Sequence, residues 1–312
     1  MAIELLRCSG MIGTFVLRSS INGAVISPQA GGYSGSNIPC TAANNQKAAA
    51  PPGPAKSRCP SNWHPRHRKH RSQPTVTRRL LVAVGVYSVL LVVILNLIVL
   101  NFCKLHEKAI FMMADGLILL WIIVGGSLTL FLQKRLVPRL VAIPIDWRLR
   151  FVILSTIMAL IEEVITTSMT NLAPVFGSTP EEAHITASTN YFTVVCFHSV
   201  VVIAPMFVAW DWMLSHWNFS PLKVLLLFGL TGSLAEGGIN WTSLIGGFWV
   251  FVYGLMVYLP ACTVPVDRGA RPLRWWHYPM AVFLPFLAVI PVVPVVLLVR
   301  RWLGVQFFPG IS

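Results

Sequence analysis

The chain carries long apolar stretches, and the first of them already constrains the fold strongly. It runs from Leu80 to Cys103, 24 residues without a charged side chain. At about 1.5 Å per residue, a helix of this length crosses a hydrocarbon core of roughly 30 Å. Lipid offers no partner to an open backbone, so the stretch predicts a transmembrane α-helix.

Further apolar stretches repeat this pattern along the chain. The predicted spans that follow the first are residues 109–133, 151–169, 190–212, 222–238, 243–262 and 278–299. Only 11% of the residues are charged, well below the roughly 25% typical of soluble domains. The sequence therefore predicts an all-α, polytopic transmembrane helix bundle over residues 78–302, with about seven spans. Prolines punctuate the last stretch, so six spans with a re-entrant last segment is the alternative.

Two tails flank the predicted bundle. Residues 1–77 are rich in Gly, Ser, Ala, Asn and Pro, a composition that predicts disorder, and residues 303–312 form a short C-terminal tail. Residues 47–79 hold nine Lys and Arg and no acidic residue. Because this basic cluster ends where the first apolar stretch begins, we expect it to bind anionic lipid headgroups rather than nucleic acid.

The distribution of Lys and Arg predicts an orientation, because cytoplasmic loops carry the excess of these residues. The basic tail favours a cytoplasmic N-terminus. Every second loop would then also be cytoplasmic, and these loops carry most of the Lys and Arg. We therefore expect a multi-pass protein of the cell membrane with its amino end inside. The sequence predicts no oligomeric state. The basic residues of the predicted cytoplasmic loops are Lys134, Arg135, Arg139, Arg148, Arg150, Lys223, Arg268, Arg271 and Arg274.

Four ionisable residues lie well inside the predicted spans. Glu162 and Glu163 belong to the third span, His198 to the fourth and Glu236 to the fifth. A charged side chain at the centre of a membrane helix costs about 2.5–3.5 kcal/mol on insertion scales. Counting residues from the likely interfaces places all four at a similar depth, so the sequence predicts one polar site. Asn240 follows Glu236 by four residues and shares its face if the helix continues.

Structural explanations stand beside the functional one. The Glu pair could be neutral and hydrogen-bonded to neighbouring spans, and a structural hydrogen bond explains His198 as well as a ligand role does. For Asp115, which lies nearer the interface, the structural interpretation is preferred. Gly237 and Gly238 favour a break in the fifth span, and broken helices at membrane depth usually line a site.

Three functions fit these residues. The first is an enzyme in which Glu162 or Glu163 activates a water as general base. The second is a proton- or cation-coupled transporter that uses the same carboxylates. The third is a membrane scaffold with buried polar contacts. In the enzyme, His198 and Asn240 would position the water or an oxyanion, Glu236 would be a second acid, and Glu162, Glu163, His198 and Glu236 could hold a divalent metal.

The order of Glu162-Glu163, His198 and Glu236-x-x-x-Asn240 resembles the CAAX-processing and bacteriocin-processing family of intramembrane proteases. In that family a Glu pair followed by Arg, a Phe-x-x-x-His and a His-x-x-x-Asn activate water. The stretch 231–234 is also similar to the one that precedes the family's last motif. The resemblance covers about residues 150–245 and implies an intramembrane hydrolase. This sequence departs from the pattern at three positions, with Thr167 for the Arg, Val194 for the Phe and Glu236 for the last-motif His.

Overall fold

The computed structural model describes residues 75–237, 247–305 and 307, and the secondary structure of this part of the chain is helical. Its only β-type pairing is an isolated bridge between Trp217 and Arg271. The all-α prediction is therefore confirmed for the described residues. The predicted disordered tail lies outside them except for its last three residues. The α-helices are α1 Thr75–Phe102, α2 Leu105–Leu117, α3 Gly126–Val141, α4 Trp147–Asn171, α5 Tyr191–Phe197, α6 Val200–His216, α7 Pro221–Gly237, α8 Trp249–Cys262, α9 His277–Val289 and α10 Val292–Leu303.

Three helical segments are long and apolar enough to cross a membrane: Val76–Phe102, Leu105–Val141 and His277–Leu303. The second joins α2 to α3 through a π-helix at Ile118–Gly125. A fourth candidate is the pair α5 and α6, if these two helices, bent by 44° at their junction, form one span. The described part of the chain thus supplies three or four candidate spans, and the predicted count of about seven is not confirmed.

Local sequence explains where several helices begin and end. Asp146 caps α4, because its carboxylate accepts a hydrogen bond from the backbone N–H of Arg148 at 2.8 Å. Glu107 performs a similar task at α2, where it accepts from the N–H of Lys104 at 2.8 Å. Gly304 follows α10 with φ of 64°, a left-handed conformation that glycine adopts without strain. The first two caps fix the beginnings of α2 and α4, which both contribute residues to the candidate site.

The hydrophobic core joins α4, α6, α7, α8 and α9. Its largest fully buried side chains include Trp210, Phe207 and Phe228, and the last two rings lie 5.4 Å apart between centroids. Helices α7 and α8 approach closely because Gly229 and Gly254 lack side chains at their contact. The backbone of one helix therefore lies directly against the other.

We expect Gly229→Ala to destabilise the fold by about 1–3 kcal/mol, the usual cost of overpacking. A β-carbon at this position would overlap the backbone carbonyl of Val250, so the two helices would have to move apart. The unfolding temperature of the purified protein measures the loss. Gly85→Ala is the matched control, since its β-carbon would meet only Phe251 Cζ at an ordinary 3.6 Å. Equal unfolding temperatures for the two variants would contradict the prediction.

Candidate functional site

A cavity of about 210 Å³ lies within the helical body. It is bounded by α2, α4, the junction of α5 and α6, α7 and α8. Glu162, Glu163, His198 and Glu236 all line it. The structure thus brings four of the five predicted site residues to one cavity, whereas Asn240 lies outside the described residues. Their functional roles stay predictions.

Two hydroxyl groups lie near the carboxylate of Glu163. Thr167, one turn later on α4, donates a hydrogen bond to Glu163 Oε1 at 3.4 Å. Ser199, at the junction of α5 and α6, is close to the same carboxylate, and its hydroxyl donates to the carbonyl of Val194 at 3.4 Å. The Glu163 side chain is buried, with 6% of its surface exposed. Thr167 therefore constrains the orientation of this carboxylate in the cavity.

Glu236 is paired with a residue that the sequence analysis did not single out. The hydroxyl of Tyr253 on α8 donates a short hydrogen bond to Glu236 Oε1. The sequence could have indicated Tyr253 as a site residue, because a tyrosine hydroxyl inside an apolar helix needs a polar partner. The bond ties α7 to α8 across the cavity wall.

Glu162 has a different environment from the other two carboxylates. Within the described part of the chain, no side chain or backbone group donates a hydrogen bond to its carboxylate. The Glu162 carboxylate interacts electrostatically with those of Glu163 and Glu236. Among the described residues that line the cavity, none is Lys or Arg. Three buried carboxylates in a cavity without a described Lys or Arg need protons or a bound cation, because an isolated buried charge is very costly.

His198 faces the same cavity, but no contact pairs it with the carboxylates. Its imidazole forms no hydrogen bond to any residue in the described ranges. The ring packs edge-on against Phe307, with 5.6 Å between centroids. Arg300, whose guanidinium lies 3.8 Å from the centre of the Phe307 ring, is the charge that acts on His198. Arg300 is not one of the described residues that line the cavity.

The helix break at the site lies between α5 and α6. The carbonyl of Val194 accepts from both His198 N and Ser199 N, at 3.0 and 2.9 Å. The N–H of Val202 donates to the carbonyl of Ser199 rather than to that of His198. The carbonyl groups of Val195 and His198 thereby lose their usual helical donors. A break is also predicted at Gly237 and Gly238; α7 ends at Gly237, and the next residues fall outside the described ranges.

A loop closes one side of the cavity. Thr186 donates a hydrogen bond to the Thr170 hydroxyl at 3.0 Å, and the N–H of Ile185 donates to the same oxygen at 3.2 Å. These bonds hold the loop against the end of α4, so that residues 185–187 line the cavity. Burial lowers the pKa of the neighbouring His184 and favours its neutral form. The loop therefore brings no histidine charge near neutral pH.

Asp115 has the structural partner that the sequence analysis preferred for it. Its Oδ1 accepts a hydrogen bond from Asn96 Nδ2 at 3.0 Å, which joins α1 to α2. Asp115 does not line the cavity. The carboxylate thus connects two apolar helices.

In the ranges that the structure covers, no group of three or more His, Cys, Asp or Glu stands in a geometry that could hold a metal ion. No protein-family model matches the chain, and no curated protein or solved structure matches it either. The divalent metal stays a prediction, and the resemblance to the intramembrane proteases rests on the residue order given above.

Proposed function

We propose that the chain is a multi-pass membrane protein of the cell membrane, with about seven spans and a cytoplasmic N-terminus. Apolar side chains on α1 and α10 are exposed in large numbers, as expected of lipid-facing surfaces. Trp275 and Trp302 are 81% and 85% exposed, and each lies beside an arginine, at Arg274 and Arg301. Tryptophan and arginine at helix ends are typical of membrane interfaces.

We further propose that the cavity binds a cation, a proton included, and that the protein is a proton- or cation-coupled transporter. The observation that carries this proposal is the meeting of three buried carboxylates with no cationic side chain among the described lining residues. Ionisable residues at membrane depth mark ion pathways and proton relays. A cation entering the cavity would supply the missing charge.

The broken helix supports the same function. Discontinuous helices at membrane depth expose backbone carbonyls, and transporters use such carbonyls together with carboxylates to bind cations. The break at His198 and Ser199 lies on the cavity wall, next to the Glu163 carboxylate. A hinge at this junction would let α5 move relative to α6 when the site is filled.

Reconstituted liposomes test the transporter. We expect the native chain to carry protons, reported by a pH dye inside the vesicles, or to take up radioactive sodium when a proton gradient is applied. Glu162→Gln keeps the side-chain shape and removes the charge, so its flux should fall to that of empty liposomes. Glu181→Gln, at an exposed loop position, is the matched control and should retain full flux. Unchanged flux in Glu162→Gln would reject the transporter.

An intramembrane hydrolase is the second candidate, and one observation favours it. Glu163 accepts a hydrogen bond from Thr167 and shares the cavity with His198, whose imidazole is free of hydrogen bonds to described residues. A fixed carboxylate and an available imidazole suit a general base with a second polar group. Hydrolysis of p-nitrophenyl butyrate or of a fluorogenic apolar peptide, abolished by Glu163→Gln, would support the enzyme. A scaffold instead predicts that both Gln variants change stability alone.

A further inference from the structure

We propose that the cation bound in the cavity is a small organic ammonium ion, an inference that rests on the cation-binding function proposed above. The size of the cavity is the first reason. Its volume is about 210 Å³, and an engineered apolar cavity of about 150 Å³ already holds benzene. A dehydrated inorganic cation would leave most of this space empty, whereas an alkylamine of roughly benzene size would fill it.

The chemistry of the wall is the second reason. Most side chains that face the cavity are apolar, such as Leu117, Ile203 and Met206. An inorganic ion gains nothing from such a wall, but the transfer of an amine's alkyl body from water to it is favourable. The apolar wall and the carboxylates together match a molecule with one charged end.

A run of aromatic side chains is the third reason. Phe248, Trp249 and Tyr253 all line the cavity from α8 and the residue before it. Their ring centroids follow each other at 4.9 Å and 6.0 Å. Aromatic faces attract ammonium groups, and several together form the cages that recognise organic ammonium ligands. This aromatic run and the three carboxylates belong to the same cavity.

The carboxylates also have the capacity to receive an ammonium group. A primary ammonium offers three N–H donors. Glu162 accepts no hydrogen bond from the described residues, and Glu236 keeps an oxygen that no described donor occupies. The carboxylates that line the cavity therefore offer acceptor oxygens to an ammonium group.

Calorimetric titration of the purified, detergent-solubilised full chain tests the proposal. n-Butylammonium is the probe, n-butanol is the neutral molecule of the same shape, and sodium chloride at equal ionic strength controls for charge. We expect n-butylammonium to bind and the other two to give no specific heat. Glu162→Gln should abolish this binding. Trp249→Leu should weaken it about tenfold, and Trp249→Phe, which keeps a ring, should weaken it less.

The controls separate this proposal from the one it rests on. Trp275→Leu removes an exposed tryptophan outside the cavity and should leave n-butylammonium binding unchanged. Equal binding of n-butanol, or of n-butylammonium to Trp249→Leu and the native chain, would overturn the organic ammonium. So would specific sodium binding with no response to n-butylammonium, although cation transport would then stand. If Glu162→Gln leaves both flux and binding unchanged, the cation site itself fails.

Discussion

Glu162→Met is expected to raise the unfolding temperature of the purified protein while it abolishes ion flux. The native side chain buries a carboxylate that accepts no hydrogen bond from the described residues and repels two neighbouring carboxylates. Methionine has a similar length and suits the apolar part of the wall. Replacement of buried ionic groups by apolar ones stabilises proteins by about 1–4 kcal/mol. We expect a gain in the lower half of that range, or several degrees.

Glu107→Met is the matched control for this effect. Glu107 is also buried, but its carboxylate accepts from the backbone N–H of Lys104 and caps α2. Its loss should lower the unfolding temperature, since removal of a helix cap costs about 1 kcal/mol. Thermal unfolding in detergent, followed by circular dichroism, compares the two variants. A decrease in both would assign Glu162 a structural role and support the scaffold. Opposite signs would identify a site kept for function at the expense of stability.

The general architecture could be predicted from the sequence because it depends on local properties. Long apolar stretches such as Leu80–Cys103 predict helices wherever they lie, and α1 covers this stretch almost to its end. The second predicted span, residues 109–133, corresponds to a helical segment that extends further, from Leu105 to Val141. Lys134, Arg135 and Arg139, expected in a cytoplasmic loop, instead belong to α3, and Gln133 just before them accepts a hydrogen bond from the Tyr258 hydroxyl at 3.2 Å. A contact with α8 thus accompanies the longer helix.

The meeting of the glutamates could also be anticipated, because the cost of burying charge makes separate carboxylates share a site. The details of that site could not. Tyr253 carries no motif, and only the packing of α7 against α8 brings its hydroxyl to Glu236. The break at His198 follows no Gly or Pro, the residues that most often predict a helix break. Both features depend on tertiary contacts between distant segments.

Arg150 was interpreted from the sequence as one charge of a cytoplasmic loop, but the structure buries it with 7% of its surface exposed. Its Nη1 donates to the carbonyls of Leu140 and Val141, at 3.4 and 3.2 Å, and Nη2 donates to that of Thr263 at 3.2 Å. These carbonyls end α3 and α8, where the helix dipoles attract a cation. One guanidinium therefore joins the ends of two helices to the first turn of α4.

Arg150→Met should lower the free energy of unfolding by about 3–5 kcal/mol, since three carbonyls at the ends of two helices, the one of Thr263 in a fully buried bond, would lose a charged donor. Arg150→Lys should recover part of this loss, because an ammonium group lacks the planar fork that reaches both helix ends at once. Arg148→Met, at an exposed position two residues earlier, is the control and should change stability by less than about 0.5 kcal/mol. Thermal and denaturant unfolding in detergent measure all three. If Arg150→Met has the same free energy of unfolding as Arg148→Met, apolar packing holds the ends of α3 and α8 together. The guanidinium then contributes only to orientation in the membrane.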